Sequence, residues 1–283
     1  MQISSQSIDD VLYPKIEAHS TGFLQVTQMH TIAWERSGNP DGIPVIVIHG
    51  GPGGGSQPSY RRYFDPAKFD IIQFDQRGCG RSSIPPDGQK WSMEEMMSDV
   101  LTVADAVDAD QFHLIGESIG GTISLYTALN APDRVTTVTA LSTGHRGNYI
   151  NQVGNWRNTV EQEGFAAWTT KMMEHRFYPG AVADEVYNWF SMTQAKSSPH
   201  ATLALGELLM AQDLSKDLDK LANPVLLIHP DSSPFLPVSM SAEIHSLLPN
   251  SELMVIPHAK HAIACSHAKE ASAAFLNFIN RCH

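Results

Sequence analysis

The chain has 283 residues, 42% hydrophobic and 17% charged, and a net charge of −11 from 19 basic and 30 acidic side chains. This composition suits a globular chain with a sizeable core and excludes disorder, collagen and coiled coil as overall classes. The acidic balance argues against electrostatic capture of nucleic acid or of an anionic membrane, and it says little about a small substrate.

Residues 22–27 and 30–35 open the chain as two strands with a turn between them. Asn39-Pro40-Asp41-Gly42 is a second turn. Residues 44–49 form a short β-branched run, suited to a strand buried on both faces. A glycine-rich stretch from Gly50 to Gly55 follows it directly. Residues 69–74 are a second buried strand, ending in Asp75-Gln76-Arg77-Gly78-Cys79-Gly80-Arg81-Ser82. Residues 93–107 have helical spacing, with Ser92 and Glu95 in a capping-box pattern. Further strands are expected over 111–115 and 135–141, with a helix over 118–131 between them that Pro132 closes. Alternation of buried strands and helices indicates a parallel sheet covered on both faces.

The pattern changes over residues 145–221, where helix-like segments rich in aromatics and methionines replace short β-branched runs. The strand–helix rhythm then resumes: strands over 224–229 and 252–256, helices over 238–248 and 268–281. The expected organisation is one α/β core in two parts, residues 1–144 and 222–283, with a helical cap inserted at 145–221. The opening MQISSQSIDD has no signal-peptide pattern, and no apolar run approaches the length needed to cross a bilayer. The three cysteines, Cys79, Cys265 and Cys282, form no disulfide framework, so a reducing cytoplasm is expected. No cofactor or metal is expected.

Gly116-Glu117-Ser118-Ile119-Gly120 matches G-x-S-x-G after a buried strand and before a helix. In such a turn the serine is strained and exposed, and glycines on either side make room for it. Ser118 is the candidate nucleophile. The helix N-terminus offers the Ile119 amide to an oxyanion, and the glycine run after strand 44–49 offers a second amide, with Gly51 the favoured donor. That run lacks the Gly-Lys-Ser/Thr ending of a phosphate loop. His261 follows the last strand, where it can reach Ser118 as general base. His258, His261 and His267 have loose spacing for a metal and no carboxylate or cysteine set to complete it. His49 reads as a structural histidine and Cys79 as a small buried residue. The arginines of 75–82 either hold a substrate anion or brace loops, with bracing favoured. The expected acid follows strand 224–229, where Asp231 is the only carboxylate.

These features resemble the α/β-hydrolase fold, and residues 12–82 resemble proline iminopeptidases. That second likeness is carried by Leu12-Tyr13-Pro14, Trp34-Glu35, Gly38-Asn39-Pro40, the run from His49 to Gly55 and the stretch from Asp75 to Ser82. The resemblance implies a serine hydrolase with the triad Ser118, His261 and Asp231 and an oxyanion hole of Gly51 and Ile119. Three departures narrow it. The elbow reads Gly-Glu-Ser-Ile-Gly in place of the usual Gly-Gly-Ser-Trp-Gly. The insertion is short and offers no anchored pair among Glu161, Glu163, Glu174, Glu185 and Glu207 to hold a peptide amino group. The family's acid pattern, aligned on Phe235-Leu236-Pro237, puts Ser233 at the acid position, with Asp231 two residues earlier. The cap and C-terminal half look more like those of enol-lactone hydrolases and carboxylesterases. The expected activity is cleavage of an ester or lactone of a small, fairly apolar molecule through an acyl-enzyme. The alternatives are an aminopeptidase of the iminopeptidase type and a non-catalytic binding protein on the same fold.

Overall fold

The computed structural model describes residues 12–51, 53–84, 86 and 88–282. The opening ten-residue segment and Pro52, inside the glycine run, lie outside them. Strands β1 (Ser20–Gln25), β2 (Thr31–Gly38), β3 (Ile43–Ile48), β4 (Phe69–Phe74), β5 (Phe112–Glu117), β6 (Val135–Leu141), β7 (Val225–Pro230) and β8 (Ser251–Ile256) make one sheet, in the order β1-β2-β4-β3-β5-β6-β7-β8. β1 and β2 pair antiparallel, as do β2 and β4, and every other pairing is parallel. The four central strands, β4, β3, β5 and β6, are the apolar runs read as buried on both faces. Helices cover the faces on which their side chains emerge.

Around the core lie α1 (Met93–Ala106), α2 (Ile119–Asn130), α7 (Val238–Leu247), the short α8 (Ile263–Ser266) and α9 (Ala268–Cys282). The Ser92–Glu95 capping box is present in full at α1. Between β6 and β7 the chain forms α3 (Trp156–Glu163), α4 (Phe165–Arg176), α5 (Asp184–Ala195) and α6 (Pro199–Met210). Helix α6 packs on α3 through Gly206, where a Cβ would lie 3.0 Å from the Trp156 ring. Among the described residues no helix is long and apolar enough to cross a membrane.

The charged loop after β4 is braced to the core. Asp75 accepts from the Ser56 amide at 2.7 Å and from the Arg81 amide and Nε at 2.8 Å each, tying the glycine run to the 75–82 loop. Arg77, 2% exposed, forks onto Asp99 at 2.6 and 2.8 Å and reaches Glu95 at 2.6 Å. Both arginines are spent on protein carboxylates, so neither is free for a substrate anion.

Removing one partner of a buried ion pair strands the other's charge, which costs more than deleting both. Arg77→Met should therefore destabilise the fold by about 3–5 kcal/mol, seen as a lower urea midpoint. Arg77→Met combined with Asp99→Leu should recover much of the loss. Equal midpoints for the single variant and the parent would show that the pair does not brace the loop.

Candidate active site

β5 ends at Glu117 and α2 begins at Ile119, which leaves Ser118 alone to make the turn. Its φ of 54° and ψ of −119° are unusual for a residue with a side chain. The turn is tight on both sides. A Cβ on Gly116 would lie 2.3 Å from the Gly120 carbonyl oxygen, and one on Gly120 would lie 2.2 Å from that of Ile48. The Ser118 amide donates to Leu141 O at 2.8 Å, and its carbonyl accepts the first amides of α2. The side chain is thereby pushed out at the C-terminal edge of the sheet.

His261 lies between β8 and α8. Its Nε2 is 3.0 Å from Ser118 Oγ. The backbone around it is fixed: its carbonyl accepts from the Ser142 hydroxyl at 2.7 Å, and its ring meets Phe235 edge-on at 4.8 Å. Burial holds the imidazole well below its ordinary pKa, and Arg176, His229 and His175 push it the same way. It is neutral at pH 7, as a general base must be.

The third member corrects the sequence expectation. Asp231 does not meet His261. Its two carboxylate oxygens accept the backbone amides of His258 at 2.9 Å and Ala259 at 3.1 Å. The cause is the ladder: Asp231 N donates to Ile256 O and Ser232 N to Ala259 O, so strand-like pairing runs past Pro230 and turns Asp231 toward the β8 turn. Burial opposes its ionisation, but the two amide bonds hold the carboxyl below its usual pKa. Asp231 thus fixes the turn that carries His261.

Ser233 takes the place beside the imidazole, with Oγ 3.1 Å from Nδ1. The same oxygen accepts amides from Phe235 at 3.3 Å and Leu236 at 3.2 Å. For Nε2 to take the Ser118 proton, Nδ1 must carry the ring hydrogen and donate it to Ser233 Oγ. A carboxylate fixes the tautomer with Nδ1–H; this hydroxyl does not, and it carries no charge to stabilise an imidazolium.

Gly51 and Ile119 border the same cleft as Ser118. A Cβ on Gly51 would lie 3.7 Å from Ile119 Cγ2, so the two residues are neighbours. Neither amide donates to a protein acceptor among the described residues. The cleft walls are Ile150, Val153, Trp156, Met172, Leu209 and Phe235, with Arg176 as its charged member. Sequence reading missed Arg176. Its signal was an arginine closing an otherwise apolar helix face, Trp168-Met172-Met173.

The remaining candidates have other partners. His49 Nδ1 bonds Gly50 O at 2.6 Å and Nε2 accepts the Gln76 amide at 3.0 Å, which leaves no nitrogen for catalysis. Cys79 is buried, and burial pushes its thiol up to about 12, far from a thiolate at pH 7. Among the described residues no cluster of three or more His, Cys, Asp or Glu could hold a metal ion. A wider groove lined by Asn39, Lys68 and His113 opens at the opposite, N-terminal edge of the parallel strands, away from Ser118.

A proline iminopeptidase of Arabidopsis thaliana is 41% identical over 125 residues, which cover 44% of this chain and 33% of that relative. This likeness lies in the N-terminal half. A proline iminopeptidase of Xylella fastidiosa aligns over 89% of this chain and 93% of its own length, at 25% identity. Among solved structures, a thermophilic esterase from Thermogutta terrifontis superposes with a TM-score of 0.82, at 21% identity, over 93% of this chain and 99% of that one. The alpha/beta hydrolase fold family matches residues 43–268, most of the chain and all of the site. With the sheet order and the strained serine turn already in agreement, the chain belongs to the alpha/beta hydrolase fold family.

Proposed function

We propose that this protein hydrolyses an ester or lactone of a small, largely apolar molecule through an acyl-enzyme. The observation that carries the reading is the 3.0 Å contact between Ser118 Oγ and His261 Nε2 in an apolar cleft. Ser118 attacks the carbonyl carbon as its proton passes to His261. The carbonyl oxygen becomes an oxyanion, which the Ile119 and Gly51 amides receive. The adduct collapses, and His261 returns the proton to the leaving alcohol. Water then attacks the acyl-enzyme by the same route in reverse. Cys79, Cys265 and Cys282 are unpaired, which suits a reducing compartment such as the cytoplasm.

Two other readings make different demands. An iminopeptidase must hold an ammonium group, yet among the described residues no carboxylate lines the cleft and its charged side chain is a cation. A non-catalytic binding protein is favoured by one feature, the serine beside His261 where a carboxylate is usual.

Ser118→Ala removes one hydroxyl and should leave the fold unchanged. It should abolish labelling by a fluorophosphonate and reduce ester turnover on the order of 10⁶-fold, as nucleophile loss does elsewhere. An unlabelled parent protein would favour the binding reading.

The pH profile tests the base. Burial and neighbouring cations lower the pKa of His261, so it stays neutral to more acid pH than a free histidine. The acid limb of kcat/KM should therefore lie below that of an ordinary histidine. Ser233→Asp places a carboxylate against Nδ1, which favours the imidazolium. That limb should move to higher pH and kcat should rise, on the order of tenfold or more. Asp231→Asn should leave the limb in place, and a limb that moved with Asp231 and not with Ser233 would overturn this assignment.

Substrate preference separates the enzyme readings. Small acyl esters and lactones should be turned over faster than prolyl-naphthylamide. A kcat/KM on the prolyl amide above that of every ester tested would restore the peptidase reading.

A further inference from the structure

Arg176 closes α4 with its side chain turned into the cleft. The residue is 8% exposed. Its Nε donates to Gln194 Oε1 at 2.9 Å, and one terminal nitrogen, Nη2, donates to Gly51 O at 3.0 Å. Its guanidinium carbon lies 4.9 Å from the Phe190 ring centroid. All three partners are neutral. The other terminal nitrogen, Nη1, makes no hydrogen bond among the described residues. Among the described residues no carboxylate comes within ion-pair distance. The acidic group that acts on it most is Glu117, whose Oε2 accepts from the Tyr60 hydroxyl at 2.7 Å and whose Oε1 accepts the Ala264 amide at 3.4 Å. Burial raises the pKa of that carboxyl, which weakens it further as a counter-ion.

A buried cation with no carboxylate in contact with it is costly, and charged residues are rarely found so far from solvent unless paired. Burial lowers the guanidinium only to about 10, so it remains charged at pH 7. Two other buried arginine forks are closed by protein carboxylates: Arg77 by Asp99 and Glu95, Arg61 by Glu35. Arg176 alone among these is left open, and it opens beside the reacting serine.

We propose that Arg176 is the recognition site for a carboxylate on the substrate, so that the preferred substrates are monoanionic esters or lactones of short dicarboxylic acids. This rests on the hydrolase reading above and narrows its substrate class. The spacing follows from Gly51: its amide is assigned to the oxyanion and its carbonyl receives Arg176. A carboxylate on the guanidinium is therefore held within a few bonds of the carbonyl under attack. The planar fork of an arginine suits a carboxylate better than a lysine would. The apolar walls take up the methylenes between the two groups.

The same geometry allows a second role, in which Arg176 only positions the Gly51 loop. A matched pair of esters separates the two. Monoethyl succinate and ethyl 4-methylpentanoate have similar shape and differ by one charge. The parent enzyme should prefer the anion in kcat/KM by at least tenfold. Arg176→Gln should lower the ratio of anion to neutral kcat/KM on the order of 100-fold, mainly through KM, and Arg176→Lys should fall between. A ratio that stays constant while both rates drop would show a positioning role and overturn the proposal. A parent with no preference for the anion would do the same. Binding is read independently of turnover by titrating Ser118→Ala with monoethyl succinate in a calorimeter. Binding that is lost in Ser118→Ala/Arg176→Gln supports the site even if neither ester is hydrolysed, in which case only the hydrolase reading fails. No binding to Ser118→Ala would overturn the site itself.

Discussion

The turn between β5 and α2 closes only because positions 116 and 120 have no side chain. A Cβ at either would come within 2.3 Å of a backbone oxygen. With both contacts allowed, Ser118 takes a positive φ, and its side chain leaves the sheet toward His261. The same closure brings Gly120 against the carbonyls of Ile48 and His49, at the end of β3. β3 and β5 are parallel neighbours, with Ile48 paired to Gly116. The glycine run leaving β3 is therefore delivered beside the turn leaving β5. That adjacency is why Gly51 and Ile119 come together, though 68 residues separate them in sequence. Asp75 then locks the far end of the glycine run to the next loop.

Charge distribution is the second constraint. A serine–histidine pair develops positive charge on the imidazole as the serine attacks. In this site the groups facing His261 are Arg176, His175 and His229, and none is negative. Ser233 offers a dipole where a carboxylate would offer a full charge. The base is thus neutral over a wide pH range, but its protonated form is poorly supported. The oxyanion donors must then supply a larger share of any rate enhancement than they do in a complete triad.

The core was legible because its strands are short β-branched runs with abrupt ends, and the elbow because its glycines flank a serine between a strand and a helix. The Ser118–His261 contact could be anticipated from the elbow motif and from a histidine just after the last strand. The acid could not. Residues 230–237 contain one carboxylate, and composition favoured it, but which way a loop side chain points depends on backbone pairing several residues away. Asp231 is captured by the His258 and Ala259 amides because β7 and β8 stay paired to their ends. The alignment on Phe235-Leu236-Pro237 carried the correct geometric signal, that position 233 faces the histidine, even though the residue there is not an acid. Arg176 could be placed on the apolar face of its helix, but its role could not be read for another reason. Its meaning lies in the absence of a partner, and partners across the cap are set by tertiary packing, not by spacing along α4.

The missing negative charge and the unmatched positive one belong to the same problem. Protonating His261 places a second cation beside Arg176 in a region screened from water, where like charges repel strongly. A neutral substrate leaves that repulsion in place throughout the reaction. A substrate carboxylate on Arg176 would cancel the guanidinium before the proton moves, and would lower the cost of forming the imidazolium. The anion would then bind in the ground state through Arg176 and act again in the transition state through His261. Such a site would hydrolyse neutral esters slowly, because among the described residues no carboxylate takes the place beside His261 Nδ1. Its selectivity for anions would grow out of the weakness of its own triad.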